Sequence, residues 1–186
     1  VEKAAGVAVP RRAEIIRTLL SELERITNHV GDLGNMPAGV GFNPAISLGS
    51  RLKEQLMRLC EAVAGNRFLR GVIVPGGIRQ DITPELIEHI HEVMDATAQG
   101  VEDLAAMFRE QENFQNRVRT TGIIRNQTAK DLAMVGIGAR ASGYAHDSRK
   151  DFAYGVYPEL GFEPYTMTMV DVAARLLVRI GELAAS

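Results

Sequence analysis

The sequence is poor in cysteine, lacks tryptophan and carries almost no net charge. Its single cysteine, Cys60, excludes an intrachain disulfide and a multi-cysteine metal site, and it fits a reducing compartment. With no Trp and only 5% aromatics, the core has to be aliphatic, built from Leu, Ile, Val, Ala and Met. A net charge of −2 leaves no electrostatic footprint for non-specific nucleic-acid binding. No apolar run reaches the ~20 residues that span a bilayer. The opening "VEKAAGVAVP" has an early Glu and no long apolar core, so it is not a signal peptide. The first residue is Val1 rather than Met, which reads as a chain cut from something longer. A P-loop, a Gly-x-Gly-x-x-Gly fingerprint and a Gly-x-Ser-x-Gly elbow are all missing, which argues against a nicotinamide site and a serine nucleophile.

What is present is an ordinary globular balance of 46% hydrophobic and 24% charged residues over 186 positions, enough for one domain with its own core. In "PRRAEIIRTLLSELERITNHVGDLG", Ile15, Leu19, Leu23, Ile26 and Val30 recur at helical spacing, and Ile16 and Leu20 widen the stripe. Pro10 suits a first turn and Gly34 a stop, so the spacing predicts a helix from Pro10 to Leu33. "GNMPAGVGFNPAISLG" reads as a loop. Leu48, Leu52, Leu56, Leu59 and Val63 predict a second helix ending near Gly65, with Cys60 beside its apolar stripe. The β-branched run in "FLRGVIVPGGI" predicts a short strand and a tight turn.

Thr83 as N-cap, Pro84 in the first turn, and Leu86, Ile90, Val93, Thr97, Val101, Leu104 and Phe108 on one stripe predict a helix of roughly 28 residues. "RVRTTGII" reads as a second short strand, "NQTAKDLAMVG" as a short capped helix and "FAYGVYPELGFEPYTMT" as an ordered loop. The closing "MVDVAARLLVRIGELAAS" places Val170, Ala173, Leu177, Ile180 and Ala184 on one helical face. The expected fold is mainly α: a bundle of long antiparallel helices with a small β element, forming a single domain over residues 1–186.

Several residues invite a chemical reading, each beside a simpler one. "EHIHE" sets His89 and His91 two apart, which diverges on a helix, so a solvated face is favoured over a metal site. His29 reads first as a cation near a helix C-terminus and second as a proton-handling group in a cleft. Gly76 and Gly77 after Pro75 read as a hairpin turn, or as a place where a ligand or another chain comes close. In "GIGARASGYAHDSRKD", Arg140 and Asp147 are seven apart and share a face if the stretch is one helix. Its small residues favour a helix pressed against a neighbour, with charges paired or directed into a polar cavity, over a solvated face.

Three stretches in colinear order carry a resemblance. "AVPRRAEIIRTLLSELERITNHVGDLG", "GSRLKEQLMRLCEAVAGNRFLRGVIVPGGI" and "GARASGYAHDSRKDFAYGVY" resemble the large subunit of membrane-bound, energy-converting nickel–iron (NiFe) hydrogenases of the formate-hydrogenlyase type. They also resemble the homologous D subunit of NADH:quinone oxidoreductase, complex I.

The resemblance implies the central part of a larger catalytic subunit. In such hydrogenases four thiolates, in Cys-x-x-Cys pairs flanking this region, hold nickel and iron; this chain has neither pair, so the resemblance implies no metal and no other cofactor within it. The parent subunit or complex would hold the NiFe centre, iron–sulfur clusters or quinone. It implies an iron–sulfur small subunit and membrane ion-pumping subunits as partners, a peripheral place on the cytoplasmic side of the inner membrane, and a fragment inactive alone and prone to self-association. His29, Arg67, Gly76, Gly77, Arg140, Ser142, Asp147 and Arg149 become candidates for the cavity wall and its charge framework. Gly39 stands where the quinone-reducing branch tends to place an aspartate, which leans the reading to hydrogenase. Asn66 departs from the basic or His residue expected in either branch. The alternatives are the D subunit lining a quinone cavity and a purely structural scaffold.

Overall fold

The computed structural model describes residues 1–185; Ser186, the end of the predicted terminal helix, lies outside the described residues. Ten helices occur among them: α1 (Glu2–Ala5), α2 (Arg11–Asn35), α3 (Asn43–Ala64), α4 (Pro84–Glu110), α5 (Glu112–Val118), α6 (Asn126–Asp131), α7 (Gly136–Ala141), α8 (Ser148–Asp151), α9 (Tyr157–Leu160) and α10 (Val172–Ala184). Strands β1 (Ile73–Val74) and β2 (Gly77–Ile78) form an antiparallel hairpin with Val74 opposite Gly77. Pro75 and Gly76 make its two-residue turn, and Gly76 takes a φ of +87°, a value that suits glycine.

The frame is the trio α2, α3 and α4. Thr27 meets Cys60, Gly31 meets Lys53 and Gly34 meets Gly49, so numbers rise along one helix as they fall along the other, and α2 and α3 are antiparallel. Their backbones touch at the crossing: a Cβ added to Gly49 would lie 2.2 Å from the Gly34 Cα. Thus Gly34 is a packing residue rather than a stop, and α2 runs on to Asn35 before the 3₁₀ turn Met36–Val40. On the far side of α3, Gly100 of α4 lies beneath Leu52. Leu20, Leu23, Ile26, Val30 and Leu33 meet Leu52, Leu56, Leu59 and Val63, with Val101, Leu104 and Phe108 completing the core. Each fully buried side chain of this kind contributes about 1.5–3 kcal/mol by leaving water. α4 starts as its sequence predicts, with the Leu86 N–H donating to Thr83 Oγ1 at 3.3 Å.

Other expectations change. Ile15 and Leu19 are exposed, because the apolar face of α2 follows Ile16, Leu20 and Leu23, one residue further round. α3 starts at Asn43 rather than beyond the predicted loop, since Pro44 is tolerated in a first turn. "RVRTTGII" is not a strand: α5 runs into it, and positive φ at Thr120 and Gly122 breaks the extended run. Two hydrogen bonds, Ile124 N–H to Val170 O and Val172 N–H to Thr121 O, tie the stretch to the start of α10. α6 lacks a side-chain cap, because Arg125 holds the N-cap position and a guanidinium cannot accept, while Asn126, one residue inside, donates Nδ2 to Ser142 O.

α10 closes the structure against α2, α4, α5 and α7. Asp171 caps it, accepting from the Ala174 N–H at 2.9 Å while its other oxygen accepts from the Thr120 N–H. Ala141 of α7 meets Ala174 and Val178 of α10 in a small separate apolar cluster. That contact brings α7 close to α10 and α2, and the charges of the following loop arrive with it.

Candidate functional site

α2 carries a second stripe besides its apolar one. Thr18, Glu22, Arg25 and His29 are spaced four, three and four apart, so they share a face. This face meets α10 and the segment from Arg140 to Tyr157. Between them lies a cleft of about 650 Å³, lined by Glu22, Arg25, His29, Arg140, His146, Asp147, Arg149, Tyr154 and Tyr157 among others.

Its wall is a chain of ion pairs. Arg140 reaches Glu182 through Nε and Asp147 Oδ2 through Nη1 at 3.4 Å, and Nη1 also donates to His146 O at 3.1 Å. Asp147 takes Arg149 at 2.7 Å, and Arg149 in turn reaches Glu22 Oε1 at 3.0 Å. Glu22 pairs with Arg25 and accepts the Tyr157 hydroxyl at 2.6 Å. Arg25 returns to Glu182 Oε2 at 3.4 Å, where His29 Nε2 also sits at 2.8 Å. Three carboxylates thus face three guanidinium groups in a loop joining α2, α7, α8, α9 and α10. The Phe162 ring lies 4.5 Å from the Arg149 guanidinium carbon, a cation–π contact that covers it.

Burial alone would raise the Glu182 carboxyl, but hydrogen bonds from His29 and Arg140 and their charges outweigh it and hold the group below its usual range. The same contest lowers Asp147, where Arg149 wins over burial, and Glu22, where Arg25 and Tyr157 do. Burial beside Glu22 keeps the Tyr157 hydroxyl protonated well above its usual range. Asp147 also caps α8, accepting from the Arg149 N–H at 3.0 Å. The arrangement is a pre-formed polar wall of paired charges.

The family comparison adds an identity to this geometry. The family described as respiratory-chain NADH dehydrogenase, 49 Kd subunit, matches residues 40–186. The chain belongs to this 49 kDa subunit family. It is 35% identical to the membrane-bound hydrogenase subunit alpha of Pyrococcus furiosus over 98% of the chain and 44% of that protein. It is also 35% identical to NADH-quinone oxidoreductase subunit 4 of Thermus thermophilus over 100% of the chain and 46% of that protein. Among solved structures, the membrane-bound sulfane sulfur reductase, an archaeal respiratory membrane complex, matches with a TM-score of 0.88 and 30% identity, over 96% of this chain and 48% of that one. The chain spans about half the length of the curated relatives it matches.

Within this 49 kDa-family chain, the sequence candidates separate. His29, Arg140, Asp147 and Arg149 converge on the cleft. Arg140 and Asp147 meet because the chain folds back between α7 and α8, not along one helix. His29 lies within α2 rather than at its end, and its partner is Glu182 instead of the helix terminus. Ser142 is buried behind the wall, where its hydroxyl donates to Ile124 O at 2.8 Å. Arg67 pairs with Glu54 and lines a different, smaller cavity beside Cys60. Gly76 and Gly77 form the hairpin turn, and the group that comes close is the chain's own: the Gly76 N–H donates to Glu2 Oε1 and Gly77 O accepts from Arg17. Arg17 and His29 are twelve residues apart on α2, about 18 Å along its axis.

Glu22, Arg25, Tyr157 and Glu182 were not among the sequence candidates. The signal for Glu182 lies in the sequence: Ala174, Val178 and Glu182 step by four, which puts a carboxylate on an apolar face. As for a nickel–iron centre, the donor set here does not fit one. No three His, Cys, Asp or Glu side chains gather around a common point among the described residues, and the one thiol is buried against Thr27 with its ionisation pushed up by burial. No helix among those residues is long and apolar enough to cross a membrane.

Proposed function

We propose that this chain forms the charged wall of a redox cavity in the catalytic subunit of a membrane-bound, hydrogenase-type complex. The whole subunit would interconvert protons and hydrogen. Electrons would pass through an iron–sulfur partner subunit, and membrane subunits would couple the reaction to ion movement. The complex would sit with this subunit peripheral, on the cytoplasmic side of the inner membrane. The observation behind the reading is the closed network of Glu22, Arg25, Arg140, Asp147, Arg149 and Glu182 around one cleft. A scaffold with no site has no need to place paired charges around an open volume, because apolar residues of the same size are as stabilising or more so. Any metal would be bound outside these residues, whose part is to fix charge and exclude or admit water.

The hydrogenase-type reaction is favoured by Gly39. It sits in the 3₁₀ turn with nothing within 4 Å of an added Cβ, so the fold does not demand glycine where the quinone-reducing branch tends to carry an aspartate. The quinone-reducing reading is supported by the equal identity to the Thermus subunit. The purified complex decides between them: hydrogen evolution from a reduced dye, with nickel present, supports the first, while quinone reduction without nickel replaces it with the second. In either case Arg140→Leu in the complex should impair turnover or assembly, and unchanged activity and yield would remove the wall from the mechanism.

A further inference from the structure

The wall holds one group whose charge is not fixed. His29 is buried, and its one side-chain hydrogen bond among the described residues runs from Nε2 to Glu182 Oε2 at 2.8 Å. No buried side-chain nitrogen or oxygen lacks a hydrogen-bond partner among those residues. The other ring nitrogen, Nδ1, is therefore not sealed, and the space it opens to is the cleft that His29 lines. Glu182 is held ionised by Arg140 and Arg25 as well as by the imidazole. A carboxylate accepts only, so the neutral ring must carry its proton on Nε2, which leaves a lone pair on Nδ1.

We propose that His29 is the proton acceptor of this cleft, taking a proton at Nδ1 from a water or hydroxyl bound there, with Glu182 as its positioning residue. The step is a plain acid–base exchange. An O–H bond of the donor breaks, an N–H bond forms at Nδ1, the ring becomes imidazolium, and the donor's charge falls by one. The surroundings suit reversible exchange. Glu182 on α10 stabilises the imidazolium, while Arg25 on α2 and Arg140 on α7 oppose it. Further out, Asp147 faces Arg140 and Arg149, and Asp32 on the next turn of α2 is neutralised by Arg179. His146, on the loop after α7, pairs with Asp151. Glu24 of α2 also lines the cleft, and one proton on His29 adds a single positive charge to this wall.

The inference rests on the cleft identified above but not on which electron acceptor the complex uses. The test is histidine C2–H exchange of the full chain, read peptide by peptide by mass spectrometry across pH, with ring ¹⁵N spectra assigned by His29→Gln. His29 should exchange its C2–H with the fold intact, and its neutral form should carry the proton on Nε2. Glu182→Gln should move part of the neutral ring's proton to Nδ1, because an amide can donate to Nε2 as well as accept from it. A His29 ring whose exchange is slowed more than about tenfold at every pH relative to the exposed His89 and His91, or a neutral wild-type ring that carries its proton on Nδ1, overturns the proposal. Should Glu182→Gln fail to fold, the wild-type exchange profile alone decides. Loss of turnover in Arg140→Leu with a His29 ring sealed from exchange leaves the redox reading standing and removes this one; an exchanging His29 ring with Arg140→Leu turnover and yield unchanged removes the redox reading only.

Discussion

Replacing Glu182 with Leu removes one carboxylate and leaves three cationic or potentially cationic partners facing an apolar side chain. The Arg140 and Glu182 side chains are 7% and 3% exposed, so water cannot replace the lost partner. Breaking a buried pair by removing one member costs about 3–5 kcal/mol. Two features reduce this: Arg140 keeps Asp147 and His146 O, and Arg25 is partly exposed and keeps Glu22. The loss should therefore be about 3 kcal/mol, from the lower end of that range. For a chain of this size that lowers the thermal midpoint by roughly 6–12 °C. Urea unfolding followed by circular dichroism measures it.

The pH dependence adds a second reading of the same substitution. Glu22, Asp147 and Glu182 have carboxyl pKa values lowered by folding. The stability they contribute is present above the unfolded values, 4.5 for the two glutamates and 3.8 for Asp147, and is lost as pH falls through their folded values. The gap between wild type and Glu182→Leu should therefore narrow as the medium is acidified. A loss under about 1 kcal/mol at neutral pH, or a gap that widens in acid, would refute the reasoning.

Gly49→Ala tests the helix crossing. An exposed helical site would gain up to about 1 kcal/mol from the change, but here the new Cβ would meet the Gly34 backbone at 2.2 Å, so a net loss of about 1–3 kcal/mol is expected by chemical denaturation; a stabilised variant would contradict the crossing. Cys60, buried with its ionisation raised by burial, should resist a thiol reagent in the folded chain and react only on unfolding; rapid native labelling would show that the α2–α3 seam is open.

The frame of the fold was legible because periodicity reports burial directly. α4 was read nearly to its ends, since Thr83, Pro84 and a long apolar stripe agree with one another. The errors came where a residue type has two uses. Gly34 and Gly49 look like loop formers and are contact points between helices. Thr120 and Gly122 look like part of a strand and take positive φ.

The site was half legible. Arg140, Asp147 and Arg149 stand out because they are charges among small residues, whereas Glu22, Arg25 and Glu182 lie on amphipathic helices, where charge is the ordinary filling of a solvent face. Only their spacing, read against the partner surface that tertiary contact supplies, shows that they are enclosed. Arg67 was drawn in by its neighbours in a resembling stretch, yet its partner Glu54 leaves it on another surface.

The wall is real only if its members depend on one another across the chain, and a double-mutant cycle measures that dependence. Arg140→Met, Glu182→Leu and the pair together should give a coupling energy of about 1–3 kcal/mol, because the two residues are 42 apart in sequence and joined by a buried hydrogen bond. Additive losses, with coupling near zero, would mean that the charges merely share a cleft and that no network closes it.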